Sequence, residues 1–170
     1  MSKGSEGLII VKGVLCDIGK CTDSDILVPY GVVSIGIKAF YGCKRVKSIA
    51  LPQTVTDIGI AAFRECVNLE SITVYKLGDV EESGSKEASS EEAAASKETK
   101  SVTIPDGVKG IGEYTFYGCK KIKVVVIPES VKRIENYAFA ACKSLKVAVV
   151  PRNTEVWGRA FGSAVKLTRA

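Results

Sequence analysis

Residues 39–44 read AFYGCK, and residues 115–120 read TFYGCK. A five-residue word written twice in one chain is either a copied site or a copied piece of architecture, and the residues around it decide which. Aligning the chain in rows of 23 gives ILVPYGVVSIGIKAFYGCKRVKS from 26, IALPQTVTDIGIAAFRECVNLES from 49, VTIPDGVKGIGEYTFYGCKKIKV from 102 and VVIPESVKRIENYAFAACKSLKV from 125. A degenerate fifth row, AVVPRNTEVWGRAFGSAVKLTRA, runs from 148. Pro29, Pro52, Pro105, Pro128 and Pro151 occupy one column, and Phe40, Phe63, Phe116, Phe139 and Phe161 another. Self-similarity at such a period marks a solenoid, in which no single row can bury its apolar side and each neighbour covers the next.

A short strand precedes each Pro, which ends it because Pro has no N–H to give. The two-residue alternation turns Ile49 and Leu51 inward and Ala50 outward. From Val55 to Cys66 the apolar residues fall at roughly helical spacing, which predicts one or two short helical turns on the back of each coil. The phenylalanines should stack as a spine there. Cys43, Cys66, Cys119 and Cys142 follow the rings by three residues, and Ala164 fills that slot in the last row, so the slot asks for something small and buried. The thiols are read as free, small hydrophobes. Disulfides between coils would need parallel side chains to turn toward each other. Cys16 and Cys21 lie outside the period, with no thiol or imidazole cluster near them to make a metal site.

The pattern x-x-I-x-L-P-x-x-V-x-x-I-G-x-x-A-F-x-x-C-x-x-L over residues 26–75 and 102–167 resembles the BspA-like leucine-rich repeats, the 23-residue Treponema type. The resemblance implies an α/β repeat solenoid: a leucine-rich-repeat arc with a short-stranded parallel sheet on its concave face and short helical turns on its convex face. It also implies a cell-surface adhesion or interaction role of the kind described for surface antigens, and it carries no catalytic residues. One domain is expected over 1–170, with an N-terminal cap at 1–25, repeats at 26–80, an acidic low-complexity loop at 81–100, and repeats with the degenerate last row at 101–170. In the loop six Glu stand against three Lys, so the chain's net +5 divides into −3 there and +8 elsewhere.

Composition narrows the chemistry. There is no histidine, which excludes Ser-His and Cys-His dyads and imidazole metal ligands. Gly107, Gly110 and Gly112 stand in the wrong order for a phosphate loop, and no constellation of acids and lysines suggests catalysis, a cofactor or a metal. No stretch is long and apolar enough for membrane insertion. The absence of a signal-like N-terminus and of glycosylation sequons, with unpaired thiols, points to the cytoplasm, whereas the family resemblance points to the cell surface.

Two surfaces remain as candidates. Outward strand positions run from polar, at Asp25, Ser48 and Ser71, through Tyr75 and Thr103, to apolar at Val124, Val126, Val147 and Val149. A patch of four valines is expected to take a protein or a glycan-bearing surface, or to pair two copies of the chain as a self-associating scaffold. Lys44, Arg45, Lys47, Lys120, Lys121, Lys123, Lys143 and Lys146 all fall between the Cys slot and the next strand, so stacking should gather them into a basic ridge. Nucleic acid or an acidic lipid surface is the third class of partner; the ridge offers neither stacking rings nor a groove-reading helix for it.

Overall fold

The computed structural model describes residues 7–19, 22–78 and 100–170. The described chain is an array of coils, each contributing a front strand, a two-residue back strand and a turn at the phenylalanine. Front strands β3 (Asp25–Leu27), β5 (Ser48–Pro52), β7 (Ser71–Tyr75), β8 (Ser101–Thr103), β10 (Val124–Val126), β12 (Val147–Val150) and β14 (Lys166–Arg169) form one seven-stranded parallel sheet. At the back, β1 (Ile9–Val11) and β2 (Val14–Asp17) make an antiparallel hairpin that continues in parallel through β4 (Ser34–Ile35) and β6 (Asp57–Ile58). A separate back sheet joins β9 (Gly110–Ile111), β11 (Arg133–Ile134) and β13 (Glu155–Val156).

The expected helical turns are not there: the described residues contain no helix. The spacing of Val55, Ile58, Phe63 and Cys66 mimics an amphipathic helix, but the backbone between them cannot continue one. Lys38, Ala61, Tyr114 and Tyr137, each two residues before a ring, have φ of 56 to 60°. Gly42, Glu65, Gly118 and Ala141, each two residues after one, also sit in the left-handed region, at 56 to 74°. Glycine takes that conformation without strain, which is why the repeated word contains one. With the chain so turned, each Phe N–H donates to the coil that follows: Phe40 to Ala62 O at 2.8 Å, Phe63 to Thr115 O at 2.9 Å, Phe116 to Ala138 O at 2.8 Å and Phe139 to Ala160 O at 2.7 Å.

Inside, the rings of Phe40, Phe63, Phe116, Phe139 and Phe161 stack at centroid separations of 5.0 to 5.1 Å, the tilt between neighbours falling from 23° to 2°. The first four are fully buried, among a core of Ile, Val and Leu from both sheets. Each buried thiol reaches the ring column of the coil before it. Cys66 Sγ donates to Phe40 O at 2.9 Å, Cys119 Sγ to Phe63 O at 3.1 Å and Cys142 Sγ to Phe116 O at 3.1 Å. The slot therefore takes a small group that can also donate, a role the reading as a plain hydrophobe does not contain. The five described cysteines are free.

The second and third coils meet differently from the others. Between Phe63 and Phe116 the chain passes through two front strands, β7 and β8, whose register pair is Ile72 with Val102. The corresponding back strands do not pair. Elsewhere at the back, Gly59 N–H donates to Ile35 O at 2.8 Å, Lys132 N–H to Lys109 O at 2.8 Å and Glu135 N–H to Ile111 O at 2.9 Å. Lys109 and Gly112 make no such bond to the second coil. The expected acidic loop falls, but for Lys100, outside the described residues.

Candidate functional site

The outer face of the front sheet is set by strict alternation. Val125 and Ala148 point inward and are fully buried, so Val124, Val126, Val147 and Val149 point outward. Register places Val124 beside Val147 and Val126 beside Val149. Serine and threonine flank them on one side, Ser101 beside Val124 and Thr103 beside Val126. Lys166 and Thr168 flank them on the other, beside Val147 and Val149. Val126 is 40% exposed, an open position for a large apolar side chain on a sheet. The result is an apolar centre with a polar rim.

The other half of the same face is self-satisfied. Ser48 Oγ donates to Asp25 Oδ1, and Ser24 Oγ donates to Asp25 Oδ2 at 2.6 Å. Tyr75, expected among the partner-binding residues, stands in the slot where other rows have Pro, opposite Pro52 on the neighbouring strand. Its hydroxyl donates to Val28 O at 2.7 Å and its ring lies 6.5 Å from that of Tyr30. Burial raises its pKa. Tyr75 thus ties β7 back to the first coil, two strands away from the valines.

All eight residues of the expected ridge are exposed, but the ridge is not continuous. The second coil places Val67, Asn68 and Glu70 where its neighbours have cations, and Glu70 Oε1 holds Lys100 Nζ at 2.9 Å. This pair separates Lys44, Arg45 and Lys47 from Lys120, Lys121, Lys123, Lys143 and Lys146.

Two further features escaped the sequence reading. Arg64 presents its guanidinium to three rings, with Cζ 5.0 Å from the Tyr114 centroid, 5.2 Å from Tyr117 and 5.9 Å from Tyr41, while Nε lies 3.6 Å from Glu65 Oε1. Tyr114 in turn stacks on Tyr137 at 5.2 Å, and Arg159 Nη1 donates to Tyr137 Oη at 2.7 Å. These groups bind coil to coil on the outside of the turn, as the phenylalanines do inside. The second feature is a cleft of about 470 Å³ where β6 and β9 fail to pair, lined by Asp57, Lys109, Gly110, Lys132, Arg133 and Glu135. Its charges are of both signs. Gly107 is explained by packing, since a Cβ there would come within 2.9 Å of Thr56 Cγ2.

For chemistry, the thiols are the groups to consider. Burial pushes the Cys142 thiol up to about 12 and the Cys119 thiol well above its ordinary value; Cys66 is raised too, chiefly by its hydrogen bond with Cys43 and then by burial. Neutral and enclosed, they are poor nucleophiles. Cys43 is half-buried and shifted down by the same bond to Cys66. The described residues contain no group of three acidic or thiol side chains that could hold a metal, and no helix long and apolar enough to cross a membrane.

The family model for the BspA type leucine-rich repeat region matches residues 19–91 and 86–170, with six copies. The chain belongs to this family. Solved structures with the same fold include a leucine-rich cell-surface protein of Faecalibacterium prausnitzii, with TM-score 0.62 and 24% identity over 83% of this chain. A leucine-rich repeat protein of T. pallidum matches with TM-score 0.54 and 24% identity over 84%, and one of Eubacterium ventriosum with 0.52 and 22% over 91%. The chain spans 30% of the first of these proteins, 72% of the second and 47% of the third. Among curated proteins none matches the sequence.

Proposed function

We propose that this BspA-type repeat chain is a non-enzymatic binding module that takes a protein partner on the outer face of its front sheet, centred on Val124, Val126, Val147 and Val149 with Thr103 at the rim. The observation that supports this most directly is the register of β10 and β12, which gathers four valines on one solvent-facing patch between polar neighbours. The phenylalanine column, fully buried but for Phe161, and the buried thiols are committed to the stack, which leaves the sheet face free to vary. A cell-surface location, the one given for the F. prausnitzii protein, and the adhesion role that the family resemblance implies are part of the same proposal.

The second reading is self-association through the same valines, since adjacent β-branched residues suit a two-fold pairing of sheet faces. Solution mass and partner capture distinguish the two. Val126→Asp/Val149→Asp, once shown to keep the fold by circular dichroism, should lose a specific protein partner while remaining the same size as the parent. Loss of a dimer alone would assign the patch to assembly, and unchanged capture and unchanged mass would remove it as a site.

A further inference from the structure

The cations of the last three coils form a strip of their own. Backbone bonds run Lys123 N–H to Lys100 O at 2.7 Å, Lys146 N–H to Lys123 O at 2.9 Å and Lys166 N–H to Lys146 O at 2.8 Å. They place Lys100, Lys123 and Lys146 in one column at the strand spacing of about 4.8 Å, with Lys166 one residue further along its strand, beside Val147. Lys120, Lys121 and Lys143 lie beside that column, toward the Cys slot. Residues 117–124, 140–147 and 162–167 contain no Asp or Glu. Lys100 is neutralised by Glu70, so the strip begins at Lys123 and ends at Lys166, with every member exposed. Among the described residues none of Lys120, Lys121, Lys123, Lys143, Lys146 and Lys166 forms an ion pair. Six cations held together by a hydrogen-bonded backbone repel one another, and a ligand that supplies negative charge along the column relieves that repulsion.

We propose that this lysine strip binds a linear acidic polysaccharide, one bearing sulfate or carboxylate groups along its length, at a site that meets the rim of the valine patch only at Lys166. The strip's shape and surroundings select this class. Single-stranded nucleic acid would need free ring faces for its bases. The nearest rings are occupied: Arg64 lies over Tyr114 and Tyr117, and Tyr137 covers Tyr114. A duplex would need an element that enters a groove, and a column of strand-start residues offers none. A lipid surface would be gripped by apolar side chains entering beside the lysines, but Ile122 and Leu145, which lie between them in sequence, are turned into the core. What remains is a run of exposed point charges carried on a hydrogen-bonded backbone, suited to a flexible chain bearing anions along its length.

The test uses the full chain and heparin as the probe. Heparin should bind with an affinity that falls steeply with salt. Lys123→Glu/Lys146→Glu should weaken binding about tenfold or more at ~0.1 M salt, and flatten the log–log salt dependence by roughly one unit per lysine removed. Lys44→Glu/Arg45→Glu makes the same change of net charge on the other cationic patch, and should leave heparin affinity within about twofold. All substituted positions are exposed, and circular dichroism checks that the variants fold. Three results would overturn the proposal: no heparin binding at low salt, equal losses in the two variants, or tighter binding of single-stranded DNA or of phosphatidylserine vesicles than of heparin.

Discussion

The contact between the second and third coils and the contact between the third and fourth coils are built from the same repeat, yet only one has all its parts. Between the third and fourth coils, three residues pair at the front, two at the back, and the rings stack at 5.0 Å. Between the second and third coils, the front holds an additional strand, the back strands do not pair, and the rings still stack at 5.1 Å with a tilt of 10°. The turn bonds survive as well, Phe63 N–H to Thr115 O and Cys119 Sγ to Phe63 O. Continuity of this solenoid therefore resides in the phenylalanine turn and the front sheet, and the back pairing is the part that can be interrupted.

The harshest test of that claim is to remove a ring at each place. Phe63→Ala and Phe139→Ala should each cost about 3–5 kcal/mol, as for a large buried aromatic. Their consequences should differ. At Phe139 the intact front and back pairing holds the coils together, so denaturant unfolding should remain a single transition. At Phe63 the back pairing is missing, and beyond the turn the two parts are joined by the β7–β8 pair, the Glu70–Lys100 ion pair and Arg64 on its rings, so unfolding should separate into two transitions, seen as non-coincident fluorescence and circular dichroism curves. Two coincident curves for Phe63→Ala would show that the front strands β7 and β8 carry more of the junction than their pairing suggests.

Much of this was legible in the sequence because it repeats. The 23-residue period, the ring column, the inward and outward strand positions and the identity of the valine patch all follow from residues recurring in register. The back of the coil was not legible, for a physical reason: the apolar spacing from Val55 to Cys66 satisfies a helix as well as it satisfies a two-residue strand followed by a turn. Only the left-handed residues decide between them, and in most rows these are Lys38, Ala61, Tyr114, Tyr137, Glu65 and Ala141, types that do not advertise the conformation. Gly42 and Gly118 were the signal that could have been used. The Arg64 cluster was invisible because Tyr114 and Tyr117 reach it across the interrupted row. The split of the basic ridge was readable, since Val67, Asn68 and Glu70 stand plainly in the second row.

Alkaline pH should act on both contacts alike, which sharpens the comparison by testing the part they share. Cys119 spans the interrupted contact and Cys142 the complete one. Their folded-state pKa values lie above the ordinary value of 9.0, with Cys142 at about 12. Below pH 9 both folded and unfolded thiols are protonated and nothing changes. Above it the unfolded chain releases protons that the folded chain keeps, so stability falls by about 1.4 kcal/mol per thiol for each pH unit until the folded thiols ionise. For Cys142 this is a loss of about 1 kcal/mol at pH 10, and Cys119 acts in the same direction. Comparing wild type with Cys119→Ala/Cys142→Ala isolates the thiols from the lysines, which titrate in both. Denaturant midpoints of the double variant should depend less steeply on pH between 9 and 11, and parallel curves would mean that the thiols are solvated at high pH.

The smallest effect separates backbone conformation from packing at equivalent positions of the two contacts. Gly118 in the third coil and Ala141 in the fourth have φ of 74° and 56°. A Cβ built on Gly118 would lie 3.5 Å from Glu65 Cγ, an ordinary contact, so Gly118→Ala introduces no clash and tests the left-handed backbone alone. The expected cost is about 1 kcal/mol. Ala141→Gly runs the exchange in reverse: it relieves the left-handed alanine and increases the freedom of the unfolded chain. Those two effects oppose each other, so the gain should be no more than about 1 kcal/mol. If the two changes have opposite signs and similar size, the turn imposes one backbone on every coil and the contacts differ only in their strands. If Gly118→Ala is silent while Ala141→Gly destabilises, the interrupted contact already tolerates a looser turn, and its continuity rests on the rings without the backbone that frames them.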